Sequence, residues 1–185
     1  MSDLLIGANW NPTHVYGVAV SLGPGSYTGL RVGVMSAKAF AFATCCRLVG
    51  IPTFDLLARQ FDLPALRLDV IADALKDKLY VQGFARRGAA DKWTTAMELA
   101  ILPRQAWLTS VTSDVAVSGP GVPLVEKDLR TAILVADPAQ RKPALQALLD
   151  LAEITDQDAD RQVFLTVEPI YLRPSSAEEQ WAERT

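Results

Sequence analysis

The side chains most often used for catalysis and metal binding are scarce in this sequence. His14 is the single histidine, and the two cysteines, Cys45 and Cys46, are adjacent. A zinc site with two histidines is therefore excluded, and neighbouring cysteines lack the spacing of a metal-binding pair. The tripeptide Gly25-Ser26-Tyr27 does not have the G-x-S-x-G pattern of a serine nucleophile. We predict no catalytic residue, no metal site and no cofactor.

A glycine-rich turn that could bind an anion is formed by the segment Gly23-Pro24-Gly25-Ser26-Tyr27-Thr28. Backbone amides at the start of a helix can bind an anion. No Lys-Ser or Lys-Thr pair follows, so the segment is not a Walker phosphate loop. Glycine and proline more often serve a tight strand-to-helix connection, which we favour while leaving the anion site open.

The helix that this turn introduces is predicted over Thr28–Thr44. Small residues recur at every fourth position, namely Gly29, Gly33, Ala37 and Ala41, and would permit a close helix contact. The other faces are also apolar, and the charged residues are Arg31 and Lys38. Two interpretations stay open: a central helix between two layers of one domain, or a helix with one face against another protein.

The remaining elements alternate between strands and helices, which favours an α/β or α+β fold. Apolar runs and turn residues predict strands near 15–22, 48–52, 66–72, 78–84, 93–102 and 114–118. Helices are predicted near 53–60 and 103–110, and one after Asp137, with Pro138 at its first position and Pro143 in its first turns. Leu63-Pro64 is the predicted subdomain boundary, and the polar stretch 175–185 is predicted to be mobile.

The composition is that of a globular protein, since half of the 185 residues are apolar. A net charge of −3 argues against binding nucleic acid through the overall field. The start lacks a signal-peptide pattern, and the longest apolar stretch, 32–46, is too short to cross a bilayer. We therefore predict a cytoplasmic protein without membrane contact.

The segment Val18–Val34 resembles the characteristic motif of the TsaB (YeaZ) family. Weaker matches follow in the same order along the chain, at 48–53, 71–80, 118–121 and 168–173. The resemblance covers about residues 10–175. It implies an actin-like (ASKHA) fold of two related subdomains, here 1–64 and 65–185.

The resemblance also implies a function. TsaB proteins are non-catalytic subunits of the bacterial machinery that makes N6-threonylcarbamoyladenosine (t6A) in tRNA. The implied partners are the metal-carrying TsaD subunit and the ATPase TsaE, with tRNA bound only through the complex. Self-association to a homodimer is a further implication.

The family's partner surface includes the helix after the glycine turn. Carried over to this chain, the predicted partner-binding residues are Gly29, Leu30, Arg31, Gly33, Val34, Ala37, Lys38 and Ala41. The family-motif loop comprises Gly23, Pro24, Gly25, Ser26, Tyr27 and Thr28.

The chain departs from the family pattern at its start. Family members begin with an apolar strand, a hairpin and a first helix, whereas residues 1–10 match only the end of that helix. The N-terminal subdomain is thus expected to be truncated, through a wrong start, a shortened chain or a natural reduction. Two other functions are kept as alternatives, a glycoprotease-like peptidase and a nucleotide-binding ASKHA module.

Overall fold

The computed structural model of this chain describes residues 2–130, 133–156 and 166–172. The helices are α1 Ser2–Gly7, α2 Tyr27–Thr44, α3 Thr53–Arg59, α4 Arg104–Ser110 and α5 Leu145–Asp156. The strands are β1 Gly17–Ser21, β2 Arg47–Ile51, β3 Arg67–Asp73, β4 Lys78–Ala85, β5 Thr94–Pro103 and β6 Val115–Ser118. The predicted order of strands and helices up to residue 118 is confirmed.

The predicted helix after Asp137 is wrong in one respect, because two separate elements follow this residue. Pro138–Arg141 forms a 3-10 helix, and α5 begins only at Leu145. Pro143 lies between them, and a proline disfavours helical backbone in the residue before it. Asp137 sits at the N-cap position, but its side chain makes no capping hydrogen bond. The predicted mobile stretch 175–185 and Arg173 of the last family match lie outside the described residues.

The chain divides into two compact units. The first comprises Met1–Pro52 with Leu148–Ile170, and the second comprises Thr53–Ala147 with Tyr171–Thr185. The sequence placed the boundary at Leu63-Pro64, whereas α3 already belongs to the second unit.

The first unit is built on two parallel strands. β1 pairs with β2 in register, with Gly17 opposite Arg47 and Ser21 opposite Ile51. Helix α2 packs on this sheet, as expected for the parallel strands of a strand-helix-strand connection. The core of this unit consists of five buried residues, Val34, Ala37, Ala41, Leu48 and Val167. Four partly buried residues pack against them, namely Val18, Val20, Leu22 and Cys46.

The second unit contains a four-stranded sheet in the order β5-β4-β3-β6. β3 is antiparallel to β4 and parallel to β6. Apolar side chains cover both faces of the two central strands: one cluster includes Phe54, Leu57 and Leu68, and the other includes Ile71, Leu79 and Trp107. Burial on both faces agrees with the apolar runs 70–72 in β3 and 79–81 in β4.

Both units contain the same strand-to-turn segment. The tetrapeptide Val-Ala-Val-Ser occupies 18–21 in β1 and 115–118 in β6, and Gly-Pro-Gly follows the first copy after Leu22 and the second copy directly. The first glycine of each turn, Gly23 or Gly119, has a left-handed φ of 103° or 106°. At Gly119 a Cβ atom would lie 2.3 Å from the carbonyl oxygen of Ile71, so this position requires glycine.

Candidate partner-binding helix

Helix α2 starts at the glycine turn, and its cap fixes where the helix begins. The Ser26 hydroxyl accepts a hydrogen bond from the backbone N–H of Gly29 at 3.3 Å, which satisfies one of the free amides of the first turn. At the other end, Cys45 adopts a left-handed conformation with φ 56° and terminates the helix. Ser26 is therefore the N-cap, and α2 begins at Tyr27, one residue before the predicted start.

The family-motif loop is a closed connection. Gly23 and Pro24 are buried, and a Cβ atom on Gly23 would lie 2.7 Å from the Leu30 side chain. The space beside Gly25 is also taken by Leu30, at 3.9 Å. Tyr27, at the start of the helix, lies under the guanidinium of Arg31, which is 4.5 Å from the ring centre. Leu30 thus packs against the buried Gly23, whereas Gly25 and Ser26 stay exposed, and the anion-site alternative stays open.

Three of the predicted partner-binding residues face the interior. Val34, Ala37 and Ala41 are only 1–3% exposed and belong to the core of the first unit. The small side chains therefore allow α2 to approach its own sheet closely, and they do not form an outward surface. Periodicity alone did not distinguish these two roles, because small residues suit either contact.

The other predicted residues remain at or near the surface. Gly29 and Arg31 are exposed, whereas Gly33 and Lys38 are half-buried. A Cβ atom added to Gly33 would meet nothing within 4 Å, so the helix has open space at that position. The partner-binding role of these residues stays a prediction.

The outward face of α2 is formed by residues that the predicted set omitted. Val32, Met35 and Phe42 are large apolar residues, and they are 61%, 63% and 73% exposed. Together with the exposed Ala39 they follow a 3-4-3 spacing along the helix, which places them on one side. We call these four residues the outer face of α2. The spacing is visible in the sequence, but it becomes informative only when the buried side is known.

The single histidine lies at the surface of the first unit. His14 is exposed at the end of a 3-10 helix, Pro12–His14. In the portion of the chain that the structure describes, no group of three or more histidine, cysteine or acidic side chains could hold a metal ion. Cys45 and Cys46 are free thiols.

The carboxyl groups with raised pKa values lie in the second unit. Burial raises the pKa of Asp69, while the Trp107 indole, which donates to its Oδ2 at 2.9 Å, and Arg67 oppose this effect. Burial, and then the charge of Glu98, raise the pKa of Asp55. Asp69 serves as the acceptor for an indole N–H that is buried in the core, so its role is structural.

No helix within the described ranges is both long enough and apolar enough to cross a membrane.

The comparisons with known proteins name proteins that act in tRNA threonylcarbamoyladenosine formation. Residues 1–112 match the family model "TsaD: tRNA N6-adenosine threonylcarbamoyltransferase". The chain is 26% identical over 189 residues to the tRNA threonylcarbamoyladenosine biosynthesis protein TsaB of Bacillus subtilis (strain 168), across 98% of this chain and 80% of that protein.

Solved structures show the same fold. The chain is similar to a Pseudomonas aeruginosa protein described as uncharacterized with similarity to peptidase YEAZ (TM-score 0.74, 24% identity, 93% of this chain and 80% of that one). It is also similar to YeaZ from Pseudomonas aeruginosa (TM-score 0.69, 22% identity, 92% and 81%). The predicted α/β, actin-like fold is confirmed by this likeness. The chain belongs to the TsaB (YeaZ) family of proteins of t6A biosynthesis, and it also matches the TsaD family model.

Proposed function

We propose that this chain is a non-catalytic scaffold subunit of the t6A-forming complex, and that it binds and stabilises a TsaD-like catalytic subunit through the outer face of α2. The observation that supports the proposal is the exposure of Val32, Met35 and Phe42 on one helix. Soluble proteins seldom leave large apolar side chains grouped on one face unless that face binds a partner.

The charge of α2 suggests the chemistry of the partner surface. Arg31 and Lys38 are basic, and the helix has no acidic residue. After Lys38 the helix ends in the uncharged segment Ala39–Thr44. A partner surface that is apolar at its centre and acidic at its edge would complement α2, since interface cores are depleted of charge and rims are polar. Gly33 would allow a partner backbone or a bulky side chain to approach α2 closely.

The catalytic role is assigned to the partner in this proposal. The family model that covers residues 1–112 describes a threonylcarbamoyltransferase, but His14 is the only histidine in the chain and is exposed. The proposal includes a TsaE-like ATPase as a further partner and places tRNA on the assembled complex. A chain with a net charge of −3 would depend on its partners for most of the contact with the phosphate backbone.

Co-expression with the TsaD-like subunit of the same genome tests the proposal directly. We expect a one-to-one complex by size-exclusion chromatography with light scattering, and transfer of threonylcarbamoyl to tRNA only when both subunits are present. Met35→Ala should weaken the complex, because this side chain is 63% exposed on the outer face of α2. Failure to associate with the full set of partners would refute the scaffold role.

The two alternative functions have tests of their own. The peptidase hypothesis has one observation in its favour, the description of a structural neighbour as similar to a peptidase. Cleavage of peptides by the isolated chain that is lost in His14→Ala would establish it. Nucleotide binding can be measured by titration calorimetry of the isolated chain with ATP, for which we expect no heat.

A further inference from the structure

The turn between β3 and β4 contains an unusual run of left-handed backbone. Leu75, Lys76 and Asp77 have φ angles of 61°, 49° and 57°. Residues with a side chain avoid this region, because the Cβ atom comes too close to the following carbonyl oxygen. Glycine, and less often asparagine or aspartate, adopts it at single positions, whereas leucine and lysine are seldom found there. The turn is therefore strained, and it persists because neighbouring groups hold it.

Hydrogen bonds inside the turn provide part of this hold. The N–H of Leu75 donates to Oδ1 of Asp73 at 2.7 Å. The N–H of Lys78 donates to the carbonyl oxygen of Leu75 at 3.1 Å, and the N–H of Ala74 donates to the carbonyl oxygen of Lys78 at 2.9 Å. The first two bonds are formed by exposed residues, so water competes for their donors and acceptors and lowers their net contribution.

Arg104, the first residue of α4, holds the turn from outside. Its N–H donates to the carbonyl oxygen of Asp77 at 2.9 Å, and its Nε lies 2.7 Å from Oδ1 of the same residue. Its Nη1 donates to the carbonyl oxygen of Leu124 at 3.1 Å. The guanidinium therefore joins the turn to α4 and to the 3-10 helix Val122–Leu124.

The ion pair between Arg104 and Asp77 is a weak restraint for a strained turn. The two side chains are 38% and 65% exposed. An exposed ion pair contributes little to stability, and dissolved salt screens it. Strain that favours opening is thus opposed by a contact that solvent weakens, so a small perturbation is enough to open the turn.

We propose that Arg104 is a latch on a two-state turn. While its guanidinium binds Asp77, the turn is left-handed. When the ion pair opens, Leu75 and Lys76 relax to negative φ angles, and the hydrogen bond from Lys78 to Leu75 breaks. Ionic strength therefore sets the populations of the two conformations. This device lies in the second unit, away from α2 in sequence, and does not depend on the proposed function.

Amide hydrogen exchange of Lys78, followed by NMR on the full chain, tests the proposal. Arg104→Met keeps the backbone N–H at this position and removes the guanidinium, so the Lys78 amide should exchange roughly two- to fivefold faster, the range that an exposed ion pair supplies. Arg67→Met is the matched control, because it removes the similarly exposed pair of Arg67 with Asp114 at the other end of β3, and it should leave this rate unchanged. An unchanged rate in Arg104→Met, or the same acceleration in Arg67→Met, would overturn the proposal.

Two further measurements separate the strain from the latch. Lys76→Asn added to Arg104→Met should return the Lys78 rate toward that of the unmodified chain, because asparagine tolerates left-handed backbone and the turn then needs no latch. In the unmodified chain, raising NaCl from about 0.05 M to about 0.5 M should accelerate Lys78 exchange through screening, and Arg104→Met should lack this response. No rescue by Lys76→Asn, or no salt response in the unmodified chain, would overturn the proposal.

Discussion

The two sides of α2 should respond to truncation in opposite ways. Phe42 is 73% exposed on the outer face, whereas Val34 is 1% exposed in the core of the first unit. Replacing Phe42 by alanine should therefore reduce partner binding and leave stability almost unchanged. Replacing Val34 by alanine should reduce stability and leave the affinity of the folded chain almost unchanged.

The magnitudes follow from the exposed areas. A phenylalanine offers about 150–250 Å² for burial, and at 73% exposure some 110–180 Å² of this is available to a partner. At about 25 cal/mol per Å², and allowing for the area that alanine retains, Phe42→Ala should lose about 2–3 kcal/mol of binding free energy, or roughly 30- to 150-fold in Kd. Its free energy of unfolding should change by less than about 0.5 kcal/mol.

The Val34→Ala variant gives the reciprocal expectation. Removing two buried methyl groups and leaving a small cavity should lower the free energy of unfolding by about 2 kcal/mol. Urea denaturation measures the stability of both variants, and surface plasmon resonance against the immobilised TsaD-like subunit measures their affinities. If Phe42→Ala binds as tightly as the unmodified chain, the outer face of α2 is not the contact surface, even if the complex itself exists.

Three further predictions concern the second unit. Burial raises the pKa of the Asp69 carboxyl, so the folded chain keeps this proton at pH values where the unfolded chain has lost it. The free energy of unfolding should therefore fall as pH rises through the raised pKa. Asp69→Asn still accepts the hydrogen bond from Trp107 and should flatten this decline, measured by urea denaturation at a series of pH values. Arg86→Lys should lower the free energy of unfolding by about 2–3 kcal/mol, since the guanidinium donates to three backbone carbonyl oxygens at 2.7–2.9 Å, and an unchanged urea midpoint would contradict this. Gly119→Ala should lose at least about 2 kcal/mol or fail to fold, because its Cβ would meet a carbonyl oxygen of β3 at 2.3 Å, whereas Gly7→Ala, with open space, should keep the melting temperature.

The element order could be predicted from the sequence because it depends on local signals. The valine-rich run before Gly23 indicates a strand, and Ser26 before an apolar run indicates a helix start. The break near Pro143 was missed, since the leucine spacing beyond it resembles a continuous helix.

The orientation of α2 could not be predicted in the same way. Apolar residues occur on every side of this helix, so the buried side is decided by the position of β1 and β2, which are formed by distant residues. Small residues such as Ala37 and Ala41 fit a close contact with a sheet as well as with a partner helix. The predicted set therefore mixed residues from the core with residues from the surface. For the same reason, Val32 and Met35 became candidates only when the core was known.

The matching turns at Gly23 and Gly119 suggest a history for the chain. Each unit has a Val-Ala-Val-Ser strand and then, after Leu22 in the first unit and directly in the second, a left-handed glycine and a Pro-Gly pair. An ancestral gene duplication, in which one half-sized precursor was copied and fused, would leave two such segments. One copy now precedes a long helix with an apolar outer face, and the other precedes a single 3-10 turn, Val122–Leu124.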